Sequence, residues 1–241
     1  MSTPLADPHL LAQVDGAALE LLAAAGCGGP PVDALQLAQE HLRLVICVDR
    51  RMVGRGRAQR LPGGVGQICV RPDDRPERRQ WTVAHEIAEQ LQGWLRDRCG
   101  LGPDDLGPAE AERLANLFAE RLLVPTAWLK AEVRRVGWDL FALKALFATA
   151  SHEVIAFRLL DLPGGGGIVT VLDHGHVTRR RGRPWPAPRW LLPGERRCQI
   201  EVHDRGVPLH LKADAYEVWG WPIHEVGWKR DILRTVLTEE G

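Results

Sequence analysis

The 241-residue sequence has no apolar run approaching the ~20 residues of a membrane span, and its first seven residues carry no cationic segment ahead of an apolar one. A soluble, cytoplasmic protein with no membrane partner is expected. Net charge is also absent: 31 basic and 31 acidic side chains balance, so nothing overall requires nucleic acid or an anionic surface. Cysteine is sparse, and its spacing suggests no pairs. Cys27, Cys47, Cys69, Cys99 and Cys198 are odd in number, which argues against a disulfide framework and against a cysteine-ligated zinc. No internal repeat is visible. The hydrophobic fraction of 45% is enough for one large domain or two small ones, folded without covalent staples.

Residues 8 to 25 are rich in alanine and leucine and read as a helix, stopped by Gly26, Gly28, Gly29, Pro30 and Pro31. Asp33 can cap a second helix through His41. Leu42 to Asp49 reads as a strand, followed by a loop holding Gly54, Gly56, Pro62, Gly63 and Gly64, and Gly66 to Arg71 reads as a second strand. A helix begins after Pro72 to Arg75 and ends near Cys99 and Gly100, with Pro103 beyond. Another runs from about 108 to 123, with Pro108 at its first position and Glu110 and Glu112 in its first turns. Thr126 to Val136, Asp139 to Phe147 and Ser151 to Leu160 follow as helices. Pro163 and Gly164 to Gly167 form the best linker. Beyond it Ile168 to Leu172, Gln199 to His203, Val207 to Lys212 and Ala215 to Trp219 read as strands, with a hairpin turn at Asp204-Arg205-Gly206 and a final helix from about Lys229 to Leu237.

The segment Trp81-Thr82-Val83-Ala84-His85-Glu86-Ile87-Ala88-Glu89 carries the chemistry. Residues four apart on a helix lie about 6 Å along its axis on one face, so His85 and Glu89 point the same way. Glu86 stands one residue round, where in a zinc peptidase it serves as general base. Ala84, Ile87, Ala88, Leu91 and Leu95 supply the opposing apolar stripe. Taken alone, the pattern also fits a surface helix with two solvated glutamates. In the next helix, small Ala115 and Ala119 lie near the face of Glu112 and permit close approach.

Two stretches, Arg78 through Glu86 and Glu112-Arg113-Leu114-Ala115-Asn116-Leu117-Phe118-Ala119 through Leu123-Val124-Pro125, together resemble the ImmA/IrrE family of metallopeptidases. The resemblance covers roughly residues 10 to 160. It implies His85 as first metal ligand, Glu86 as catalytic base and Glu112 as third ligand, with Glu110 as the substitute and Asn116 orienting Glu112. It departs from the family at Glu89, where the family has histidine. A His85, Glu89 and Glu112 set carries two negative charges, which lowers the Lewis acidity of a divalent ion, zinc or manganese, and favours harder ions. Either the site is occupied but slow, or Glu89 is a solvated side chain on an inherited scaffold. The resemblance implies a mainly helical, zincin-like domain with a small antiparallel sheet at 1–162; it does not cover the rest, where the alternating segments beyond the linker read as a β-rich domain at 163–241, so the expected fold class is α+β. The implied partner is a protein substrate, a helix-turn-helix repressor among the options. A catalytically silent binding module on the same fold is the alternative.

The remaining signals are weaker. Residues 139–160 look like a helix-turn-helix, but the second helix offers only His152, Glu153 and Arg158 for phosphates, so direct DNA binding is disfavoured. Arg179, Arg180, Arg181 and Arg183 precede Trp185 and Trp190, read as a solvated loop or as a nucleic-acid or acidic-partner patch. His174 and His176 could share a strand face, although Asp173-His174-Gly175 also reads as a turn. Trp219, Trp221 and Trp228 are assigned to the core of the second domain or to its contacts. His152, Tyr216 and several arginines are open as oxyanion donors.

Overall fold

The computed structural model describes residues 7–102 and 104–238. The N-terminal residues read for a leader, except Asp7, and Pro103 lie outside that range. The chain divides into two compact units, one running to Glu132 and taking in Lys144–Ser151, the other formed by Val133–Leu143 and the residues from His152 onward. The fold is α+β. Among the described residues no helix is long and apolar enough to cross a membrane.

The first unit opens with α1 (Pro8–Ala24), capped by the Asp7 carboxylate, which accepts from the His9 N–H at 2.9 Å. Asp33 caps α2 (Ala34–Gln36), which widens into a π-helical turn at Leu37–His41. Strands β1 (Val45–Val48), β2 (Gly56–Arg60) and β3 (Gly66–Val70) then form a sheet in the order β1-β3-β2. The expected small antiparallel sheet is in fact mixed. β2 and β3 form an antiparallel hairpin, but β1 pairs with the far edge of β3 and runs parallel to it. β2 was expected to be loop, because Gly-Arg-Ala-Gln-Arg has no β-branched or aromatic residue; its strand character comes from pairing with β3. Cys47 and Cys69, expected to be unpaired, stand opposite each other in the β1/β3 register with Cα atoms 4.6 Å apart, and a disulfide joins them.

Helix α3 (Pro76–Gln90) follows, and the expected single helix to Cys99 breaks at Leu91 before α4 (Gln92–Arg98). Gly93, a weak helix former, stands at the start of the second piece. α5 (Pro108–Leu123) buries Leu114, Ala115, Phe118, Ala119 and Leu122 on the predicted stripe. Arg121 on α5 is 1% exposed and donates Nε–H to Asp15 of α1 at 3.2 Å. Two glutamines anchor α3. Gln80 accepts from the Ala34 N–H at 2.7 Å and donates to Asp33 at 2.9 Å, whereas Gln90 donates to the carbonyls of Gln59 and Gln67 at 2.9 and 3.1 Å. The helix is thereby fastened to α2 at one end and to both strands of the hairpin at the other.

α6 (Thr126–Val136), α7 (Leu140–Leu146) and α8 (His152–Leu159) match their expected spans closely. Arg158 is buried and ion-paired to Asp161, so it cannot reach a phosphate. In the second unit β4 (Gly167–Asp173), β5 (His176–Arg183), β6 (Leu209–Lys212), β7 (Tyr216–Glu225) and β8 (Trp228–Leu237) form an antiparallel sheet ordered β5-β4-β8-β7-β6. Helix α9 (Pro193–Arg205) packs on it through Cys198 and Val202, against Leu172, Val218 and Leu233.

Three readings fail here. Gln199–His203 belongs to α9, and Gly206, at φ 64°, caps that helix in the left-handed region instead of turning a hairpin. Lys229–Leu237 is the strand β8, because its alternating and then continuous burial fits a sheet interior that period alone could not separate from a helix. The arginine run is the edge strand β5. There Arg180 points inward to the fully buried Glu195, at 2.7 Å, while Arg179 and Arg181 lie exposed. Trp221 is buried as expected, and Trp219 and Trp228 are half-buried.

Arg230 joins β8 to β4 and α8, holding Asp173 with two hydrogen bonds of 2.6 and 2.9 Å and Glu153 at 2.9 Å. The Arg230 hydrogen bonds keep the Asp173 carboxyl below its ordinary value of 3.8. This stabilisation is present above that ordinary value and is lost as pH falls through the folded one. Arg230→Ala is expected to cost about 2 kcal/mol at neutral pH. Thermal melts should show the gap to wild type narrowing as pH drops below about 4.

Candidate active site

α3 turns His85 and Glu89 to one side, and α5 brings Glu112 to meet them. His85 Nε2 lies 3.5 Å from Glu89 Oε1 and 3.6 Å from Glu112 Oε2. One donor atom from each residue falls within 4.8 Å of the other two. The imidazole is 7% exposed, whereas both carboxylates reach solvent. α3 and α5 pack against each other, and Ala115 and Ala119, the small residues that the sequence places near the face of Glu112, are both buried. Glu110 closes the cap of α5 by accepting from the Gly107 N–H at 3.0 Å.

Asn116 sits between two of the three. Its amide nitrogen faces Glu112 Oε1 at 3.5 Å, and its oxygen faces His85 Nδ1 at 3.2 Å. That oxygen can only accept, so Nδ1 is the donor of this pair and Nε2 is the nitrogen that faces the two carboxylates. The Trp81 ring stacks on the imidazole with centroids 5.4 Å apart and holds its plane. Two carboxylates and one imidazole nitrogen suit a divalent cation, which removes the mutual repulsion of the carboxylates.

Glu86 is 4% exposed and lies under β2. It accepts from the Ala58 N–H, while its Oε2 is buried without a partner. Burial first, and then the neighbouring charge of Glu89, push its carboxyl up to about 8. The strand passes so close that a β-carbon at Gly56 would overlap Glu86 Oε1 and Thr82. Gly56 is therefore a packing requirement, although by sequence it reads as a loop residue.

The carboxylate pair separates two cavities that share it as lining. One, of ≈ 360 Å³, is bounded by Arg55, Gly56, Arg57, Trp81 and Glu86; the other, of ≈ 520 Å³, by Ala58, Gln59, Arg60, Gln92 and Ala111. Successive residues of β2 line first one and then the other. Sequence reasoning missed β2, Gly56, the Ala58 N–H and the Trp81 stack. Only Trp81, four residues before His85, left a readable signal. Of the open oxyanion donors, arginines 55 and 57 line the cleft, and Tyr216 accepts from the Gly194 N–H at 2.9 Å within the second unit.

Residues 39–160 match the Peptidase_M78 family model, the IrrE N-terminal-like domain. The solved structure of a Mycobacterium tuberculosis transcriptional regulator has the same fold, with a TM-score of 0.63 over 93% of this chain and 75% of that one, at 16% sequence identity. Among curated proteins none matches.

A carboxyl raised from 4.5 to about 8 keeps a proton that the unfolded chain has released, so the associated stability is full below pH 4.5 and is lost as pH rises through about 8. Glutamine cannot ionise. In chelator-treated protein, Glu86→Gln should melt higher than wild type, with the difference growing from pH 5 to pH 8; a constant offset would contradict the burial of a protonated acid.

Proposed function

Because the chain belongs to the Peptidase_M78 family of IrrE N-terminal-like domains, we propose that it is a metal-dependent, peptidase-like regulatory protein. In this reading His85, Glu89 and Glu112 hold the ion and Glu86 is the catalytic base. The observation that carries it is the convergence of His85, Glu89 and Glu112 beside the buried carboxyl of Glu86. A carboxyl so placed is suited to take a proton from water and return it to a leaving amine. A divalent ion, Zn²⁺ or Mn²⁺, would supply Lewis acidity, weakened by the second carboxylate relative to a site with two histidines.

β2 is a sheet edge, with the cavities strung along it. An extended peptide laid along this edge can cross the carboxylate pair. The similar structure is named a transcriptional regulator, and we extend the reading to proteolysis of a helix-turn-helix repressor in the cytoplasm. Glu89 supports a second reading, a cleft that binds a protein segment without cutting it, since the extra negative charge dampens the chemistry.

Metal analysis of the purified chain tests the first reading. Wild type should carry one divalent ion per chain more than His85→Ala or Glu112→Ala, and equal content would remove the proposal. Glu89→His should tighten Zn²⁺ binding about tenfold or more. If a repressor is cleaved, Glu86→Gln should abolish cleavage while leaving metal content intact; binding of the repressor with no cleavage by either protein selects the second reading.

A further inference from the structure

The second unit holds a separate cluster of metal-competent groups on the sheet face that α9 covers. Asp231 of β8 is fully buried. Pro222 is its cross-strand partner, and His224 lies two residues further along β7, so both side chains project to the same face. His203 reaches the cluster from the last turn of α9. The Asp231 carboxylate meets one imidazole with each oxygen: His203 Nδ1 at 2.7 Å from Oδ2, and His224 Nε2 at 2.9 Å from Oδ1. The two rings stand 5.7 Å apart. One donor atom from each of the three residues lies within 4.8 Å of the other two.

The buried charge is the unusual part. The other fully buried carboxylate of this sheet face, Glu195, is held by Arg180, by Thr235 at 2.5 Å and by the Leu192 N–H at 2.7 Å. Asp231 is met by no arginine or lysine: among the described residues its side-chain partners are the two histidines. Nearby cations are engaged elsewhere, Arg230 by Asp173 and Glu153 and Lys229 by the His203 carbonyl. A fully buried carboxylate normally requires a paired positive charge. Here the groups that meet it are two imidazoles, which can serve as metal ligands as well as hydrogen-bond partners.

We propose that His203, His224 and Asp231 form a divalent-metal site of zinc type, independent of the centre on α3 and α5. Two imidazole nitrogens and one carboxylate oxygen are zinc ligand types, and a tetrahedral ion with bonds of about 2.1 Å spaces its ligands about 3.4 Å apart, within reach of small side-chain rotations here. Both histidines are partly exposed, with 24% and 20% of their side chains accessible. An ion can therefore enter from solvent and keep a fourth position open to water or to a partner's side chain. The Cys198 thiol stands outside this cluster and packs in the apolar core. The ion would cross-link α9, β7 and β8, so its binding stabilises the second unit.

The test uses full-length His85→Ala/Glu112→Ala protein, which lacks the first centre, stripped with chelator and titrated with Zn²⁺. One ion per chain and a rise in melting temperature are expected. Adding His203→Ala or His224→Ala, both at partly exposed positions, should weaken that uptake about a hundredfold or more. Circular dichroism confirms that each variant folds, and His224→Gln provides a more conservative replacement. Co²⁺ should give a d–d spectrum in the His85→Ala/Glu112→Ala background that disappears with the histidine substitutions. No uptake in that background, or uptake unaffected by the histidine changes, overturns the proposal. Failure of the first centre would appear instead as equal metal content in wild type and His85→Ala, so the two ideas are separable.

Discussion

The packing of α3 between the β2–β3 hairpin and α5 is the constraint on which the candidate active site depends. Gln80 and Gln90 fix the helix at both ends, so the positions of His85, Glu86 and Glu89 are set by backbone hydrogen bonds and not by surface side-chain preferences. The close passage of β2, possible only because residue 56 is glycine, covers Glu86 and excludes water from it. Desolvation then raises its pKa. One steric fact thus links a strand with no strand-like composition to the acid–base character of a helix residue.

The second unit handles buried polarity in two ways on a single sheet face. Glu195 is neutralised by an inward-pointing arginine from a strand whose neighbouring arginines are exposed, and is finished by a hydroxyl and a backbone N–H. Asp231 is surrounded by imidazoles instead. The first arrangement is a complete internal ion pair, whose worth lies in not being broken. The second brings two imidazoles and a carboxylate together within metal-binding reach, and that donor set makes it a candidate for an ion.

Legibility in the sequence followed the physical range of each interaction. α5, α6 and the cap at Asp33 were readable because helix periodicity, Pro108 and N-cap chemistry act within a few residues. His85, Glu89 and Glu112 were identified as one set by helix spacing and by resemblance to a family, and the fold brings them together. β2 and β5 were not readable, since Gly-Arg-Ala-Gln-Arg and an arginine run become strands only by pairing with β3 and β4. β8 was misread because a short apolar run buried on both sides looks alike in strand and helix. The Cys47–Cys69 bond depended on the parallel register of β1 and β3, which their 22-residue separation does not encode.

By itself the sequence determined most helices of the first unit and the places of His85, Glu89 and Glu112 on α3 and α5. These follow from spacing within one helix or from local side-chain chemistry. Tertiary structure alone decided the burial of Glu86, the contact of Asn116 with His85, and the meeting of His203, His224 and Asp231. Each of these depends on which residues distant in sequence come within hydrogen-bond reach, and on how much water the packing leaves between them.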